Sequence, residues 1–298
     1  MGQSETDTCQ NIKNGILRHE LSSWKDFCRF VENEKVWPTL IYRGQTNAEW
    51  KVESTLDRLE KKYPTKPNLS GGIPKEFLCT RVSRELQLNR FKELSRGKLG
   101  LYIPTDDDEW WAIAQHHGLA TPLLDWTYSP FVALFFAFED EKCLNNGNLI
   151  SPEKRAVFAV THHLLTEKSS PDTGKIRKIC EPLSPKGQGN YRLFNQGGVF
   201  IKMPVGKDIE TYISENFPKD TYKEPWWETG TGTPHPRAVL QKFIIPNVER
   251  EQCLRFLDYM NINRAALFPD LDGASQYINN LWEINFDKAT GYINAEET

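Results

Sequence analysis

Apolar positions along this chain fall into blocks whose spacing switches between helix and strand. In "SSWKDFCRFVENE" (22–34), Trp24, Phe27, Phe30 and Val31 share one side of a helix that follows a serine, which predicts an amphipathic helix with a Ser cap. "PTLIYRGQ" then reads as a short buried strand running into Arg43 and Gly44. "KYPTKPNLSGGIPK" (62–75) is dense in Pro, Gly and Asn and reads as loop. From Glu76 to Arg96, the residues Phe77, Leu78, Val82, Leu86, Phe91 and Leu94 recur on one side, predicting a long surface helix.

"TDDDEWWAIAQHHG" (105–118) predicts a second helix, with acids in its first turn to complement the helix dipole and a glycine to close it. In "LATPLLDWTYSPFVALFFAFE" (119–139), "PLLDWT" reads as a buried strand carrying one acid, Asp125. Ser129 caps the helix after it, Pro130 fills that helix's first turn, and "FVALFFAFE" is apolar nearly all round and hence central. Strands are expected at 155–161, 197–204 and 238–246. Helices are expected in "NVEREQCLRFLDYMN" and "GASQYINNLWEI", with "INRAALFPDLDG" between them. Residues 1–20 are polar and read as a frayed tail. Strands mix irregularly with helices and no internal repeat occurs, so the fold class is α+β.

Composition narrows the function classes. The 298 residues contain 39% hydrophobic positions, enough for a substantial core, and this excludes wholesale disorder. A net charge of −3 argues against broad electrostatic binding to nucleic acid or anionic membrane. The 6 cysteines are scattered without a CxxC pair and read as reduced thiols. No apolar run reaches the roughly 18 residues of a spanning helix, and no basic-then-apolar leader opens the chain. "MGQSET" fits the N-myristoylation pattern, a short motif often matched by chance. A cytoplasmic location without membrane association is expected.

The familiar motifs are missing. Neither GxGxxG after a strand nor GxxxxGK[ST] occurs, and HExxH and GxSxG are absent. Neighbouring histidines such as His116 and His117 diverge on a helix, so no metal site is expected. "DLDG" (270–273) lacks the later glutamate of a calcium loop and reads as a turn with a helix cap. "RVSRELQLNRFKELSRGK" (81–98) is basic, which leaves a nucleic-acid binder or nuclease as an alternative.

Four blocks carry a family resemblance: "YRGQ" (42–45), "WWAIAQHHGLATPLLDWTYSPFVALFFA" (110–137), "YRLFNQGGVF" (191–200) and "LFPDLDG" (267–273). In this order they resemble the FRG-domain family. Tyr replaces Phe in the opening tripeptide, and Pro122 stands where the family commonly has a basic residue. The resemblance implies a tail over 1–20 and one FRG-type domain over 21–298, with its core at about 36–280.

The order of motifs is also similar to ADP-ribosyltransferases of the Arg–Ser–Glu type. That similarity implies a split mixed or antiparallel sheet core with packed helices, NAD as substrate, and transfer of ADP-ribose to a protein or nucleic acid, as in a toxin or anti-phage effector. On this reading Arg43, Gly44, His116 and Trp126 bind the dinucleotide, while Thr127, Ser129, Gln196 and Asp125 serve catalysis. Gln196 brings no charge to the third position, so Asp125 is the substitute carboxylate for the oxocarbenium-like state.

Each residue has a second reading. Arg43 suits a pyrophosphate as a bidentate fork, or else pairs with a buried Asp125. His116 satisfies a helix C-terminus or touches ligand. Trp126 is core or a nucleobase platform, and Gln196 is a buried structural amide or a ribose ligand. A binding module without turnover is the alternative to the enzyme.

Overall fold

The computed structural model describes residues 12–33, 40–63, 83–99, 104–145, 148–161, 177–179, 195–216 and 238–283. In chain order the elements begin with β1 (Ile12–Lys13), β2 (Ile16–Glu20), α1 (Trp24–Asn33), β3 (Leu40–Gln45), α2 (Thr55–Lys62) and α3 (Arg84–Leu94). The centre is α4 (Asp107–His116), β4 (Leu123–Thr127), α5 (Pro130–Phe138), β5 (Cys143–Asn145), β6 (Asn148–Ile150), β7 (Lys154–Thr161), β8 (Arg177–Ile179) and β9 (Gly198–Lys202). Then follow α6 (Ile209–Asn216), β10 (Leu240–Pro246), a 3₁₀ turn (Asn247–Glu249), α7 (Arg250–Tyr259), α8 (Arg264–Leu267) and α9 (Leu271–Glu283).

Eight of these strands form one open sheet in the order β1-β2-β10-β7-β3-β4-β9-β8. β2 and β10 run parallel and the other neighbours run antiparallel, so this is a mixed α+β sheet with packed helices. Residues 12–20 are therefore not a frayed tail. β2 pairs with β10 from Ile16–Leu240 to Glu20–Ile244, and Ile16 and Leu17 are buried. The polar residues of this stretch hide a strand whose partner lies more than 200 positions away. The predicted loop at 64–75 and the start of the Glu76 helix lie outside the described residues, while Ser83 caps α3 from Arg84.

Both faces of the sheet are covered. On one, Tyr42, Val157, Ala159 and Phe243 meet Phe27 of α1, Leu134 and Phe138 of α5 and Leu257 of α7. On the other, Ile41, Leu124, Trp126, Phe158 and Ile201 meet Ile209 and Ile213 of α6. A smaller cluster joins Leu56, Leu88 and Trp111 to Leu123 and Phe200. β7 is apolar on both faces because helices cover both.

α5 forms where the sequence predicts it. Ser129 accepts a bond from the Val132 amide, Pro130 sits in the first turn, and Ala133 and Ala137 let the helix lie close to β3. The approach is tight enough that a Cβ at Gly44 would stand 1.9 Å from the Ala133 carbonyl oxygen. Glycine at 44 thus answers a packing demand.

The sheet is nearly divided at one seam. β3 follows β7 from Leu40–Thr161 to Gln45–Ala156, and β4 follows β9 from Leu123–Lys202 to Thr127–Gly198. Between β3 and β4 the register holds only at Tyr42–Thr127.

Candidate functional site

A cleft of about 390 Å³ opens at that seam. β3 contributes Tyr42, Arg43 and Gly44, and β4 contributes Asp125, Trp126 and Thr127. Gln115 and His116 come from the last turn of α4, Phe136 from the C-terminal half of α5 and Glu139 from just after it, and Gln196, Phe200 and Phe268 close the walls. Arg43, Gly44, His116, Asp125, Trp126, Thr127 and Gln196 are thus brought together. Ser129 is not, because its hydroxyl is spent capping α5.

Arg43 sits where the ladder stops. Its Nη1 donates to the Asp125 carbonyl oxygen at 2.6 Å, a backbone acceptor that the diverging strands leave open. Its Nε is buried and finds no acceptor among the described residues. Burial pulls the guanidinium below its ordinary value, with the Asp125 charge opposing that pull and Arg58 adding to it. A guanidinium still stays protonated, so this one sits partly desolvated at the cleft.

The expected pairing of Arg43 with a buried Asp125 carboxylate is not what forms. Asp125 is exposed, because its side chain leaves the sheet on the α4 side. There Gln115 Nε2 donates to its Oδ1 at 2.7 Å, and the Thr121 hydroxyl holds the other end of the Gln115 amide. Gln115 escaped the sequence reading because it adjoins the more conspicuous histidines.

Thr127 and Gln196 knit the two sides of the turn together. The Thr127 hydroxyl donates to the Gln196 carbonyl at 2.6 Å and accepts from the Ser129 amide at 3.0 Å. Gln196 Nε2 donates to the Leu267 carbonyl at 3.1 Å, and Asn195 reaches the Ala266 carbonyl at 2.9 Å. The "FNQGG" and "LFPDLDG" blocks therefore touch. Asp270 in the latter accepts from the Gly273 amide at the start of α9, the cap expected of it.

Trp126 is 2% exposed, its side chain packs in the core with Ile41 and Leu124, and its Nε1 has no partner among the described residues. It is therefore no open platform for a base to stack on. His116 packs edge-on to His117 in the last turn of α4. Gly44 lines the cleft with its backbone, but its missing side chain serves α5.

Glu139 is the acid that the sequence reading overlooked. It follows the last residue of α5, where the dipole disfavours a carboxylate, and that mismatch is the signal of an outside partner. The partner is Arg264, which forms an ion pair with it. Burial pushes the Glu139 carboxyl above its ordinary value, although the Arg264 charge pulls the other way. Arg155 and Arg250 bond the neighbouring carbonyls of Ala137 and Phe138 at 2.6 and 2.8 Å, so arginines fasten this helix end.

The basic stretch 81–98 loses much of its free charge. Arg84 pairs with Asp57 and Glu60, Arg90 with Glu93, and Lys92 with Asp107. Among the described residues no cluster of three or more His, Cys, Asp or Glu is arranged to hold a metal ion, and no helix is long and apolar enough to cross a membrane.

No curated protein and no solved structure matches the chain. The model of the FRG domain matches residues 38–146, which include β3, α4, β4 and α5 and with them most of the cleft's lining, but not Gln196, Phe200 or Phe268. The chain carries an FRG domain at residues 38–146.

Proposed function

We propose that the cleft binds NAD and that the protein is an ADP-ribosyltransferase-like enzyme acting on a protein or nucleic acid, in the manner of a toxin or anti-phage effector. The observation that carries this reading is the position of Arg43. A cation whose buried Nε has no partner among the described residues stands where the sheet parts, beside a cleft walled by Phe136, Phe200 and Phe268. Arginine at such a point suits a pyrophosphate, whose oxygens accept from a planar fork. The volume falls within the usual range for small-molecule sites.

In the reaction, the bond between C1′ of the nicotinamide ribose and the ring nitrogen breaks, and nicotinamide departs with the bonding pair. A nucleophile of the acceptor joins C1′ and gives up its proton. Asp125, exposed at the cleft and steadied by Gln115, is the carboxylate placed to take that proton and to offset positive charge on the sugar. Thr127 and Ser129 hold the turn in shape.

One observation favours the second reading, a nucleotide-binding module without turnover. The third position is Gln196, an amide whose NH₂ is committed to Leu267. Labelled NAD incubated with cell lysate separates the two. Transfer of label, or release of nicotinamide, that disappears in Asp125→Asn supports the enzyme. Saturable NAD binding with no consumption supports the module, and absence of both binding and consumption removes NAD from the site.

A further inference from the structure

The α5 end of the cleft combines aromatic rings with carboxylates. Phe136 and Glu139 stand about one turn apart and Glu139 keeps helical dihedrals, so both lie on one side of the helix, and both line the cleft. Phe268 meets Phe136 nearly edge-on, with ring centroids 6.1 Å apart at 88°, and it lines the cleft too. The two rings form a right-angled corner. Asp140, exposed, follows Glu139 into the same wall.

The arginines near this corner are committed elsewhere. Arg264 pairs with Glu139 and holds its guanidinium 4.0 Å from the centroid of the Phe268 ring. Arg155 and Arg250 donate to the carbonyls of Ala137 and Phe138. None of these three arginines lines the cleft, whereas Asp140 does. A planar cation gains from an aromatic face and from a nearby carboxylate, a neutral ring gains from the aromatic face alone, and an anion gains from neither. Arg264 resting on Phe268 already shows such a contact from outside the cleft.

We propose that the Phe136–Phe268 corner with Asp140 is a subsite for a planar organic cation, and that the pyridinium ring of nicotinamide is the group it takes. This rests on the reading of the cleft as an NAD site and adds the residues that select the oxidised, positively charged dinucleotide. When nicotinamide departs with the bonding pair, its ring becomes neutral. The corner therefore holds the product less tightly than the substrate.

The test uses the full chain at low ionic strength with three small probes. These are 1-methylnicotinamide, a pyridinium, nicotinamide, its neutral relative, and agmatine, a guanidinium without an aromatic ring. Calorimetry should show 1-methylnicotinamide bound about tenfold more tightly than nicotinamide, and NAD more tightly than NADH. Asp140→Asn and Phe136→Leu should each reduce that preference about fivefold. Equal affinity for the charged and neutral rings overturns the proposal. So does absence of saturable 1-methylnicotinamide binding, or a preference that survives both variants. Binding of agmatine without binding of 1-methylnicotinamide also overturns it. Asp140→Asn, at an exposed position, decides the matter alone if Phe136→Leu fails to fold. Binding of 1-methylnicotinamide that depends on Asp140 and Phe136, with NAD neither bound nor consumed, sustains the cation subsite and removes the NAD reading. NAD consumption, with 1-methylnicotinamide and nicotinamide bound alike, does the reverse.

Discussion

Arg43 carries the most weight among single residues, and its two readings separate on stability. Asp125 is exposed and held by Gln115, so deleting Arg43 leaves no buried carboxylate unpaired. Arg43→Ala loses one bond to a carbonyl and also removes an unsatisfied buried donor. Its unfolding free energy should therefore change by about 1 kcal/mol or less, while Arg43→Lys, lacking the planar fork, should bind NAD far more weakly. Urea unfolding and calorimetry on both variants check this, and a loss of several kcal/mol would show that the arginine is chiefly structural. Glu139 makes a pH prediction. Burial raises its folded-state value above the ordinary 4.5. The stability it confers is complete below the ordinary value and is lost as pH rises through the raised one. Removing the partner of Arg264 in Glu139→Gln adds only an offset over this range. Wild-type stability should thus fall relative to the variant as pH climbs from about 4, and a difference independent of pH would refute the burial argument.

At the scale of elements, α5 and β3 form the tightest contact near the site. Gly44→Ala would drive a methyl into the Ala133 carbonyl, and backbone cannot yield as a side chain does. We expect a loss of about 3 kcal/mol or more, seen as a large fall in the melting temperature. α5 itself has two kinds of phenylalanine. Phe135 and Phe138 are buried, whereas Phe131 and Phe136 are partly exposed; Phe136 lines the cleft, contrary to the expectation that it, like Phe135, is deeply buried. Phe138→Ala should cost about 3–5 kcal/mol, and Phe136→Ala roughly half as much. Denaturant titration of the two variants compares them, and equal losses would place Phe136 in the core.

Among the described residues the main sheet forms two wings that meet at Tyr42–Thr127. β10, β7 and β3 share long ladders, whereas β4, β9 and β8 connect to them through one register position and side-chain bonds such as that of Arg43. Amides of β7 and β10 should exchange with solvent at the rate of global unfolding, and those of β4 and β9 faster, through opening of the smaller wing. Ligand spanning the seam should slow the faster set selectively. Uniform protection across all the strands would mean that the seam is no mechanical boundary.

The sequence by itself determined the elements whose causes are local. α1, α4 and α5 follow from apolar spacing, from Ser129 and Pro130, and from an acidic first turn, all within a few residues of one another. It also brought Arg43, Asp125, Thr127 and Gln196 forward as candidates, since their motifs are contiguous. What these residues touch was decided by tertiary structure. Whether Asp125 is buried depends on α4 lying beside β4 with Gln115 in reach, and whether residues 12–20 are ordered depends on β10. Glu139 looked like a helix end until Arg264, 125 positions away, arrived beside it. The seam left no mark in the local pattern, because the point at which two strands stop pairing is fixed by the helices packed against them, and those contacts join residues far apart in the chain.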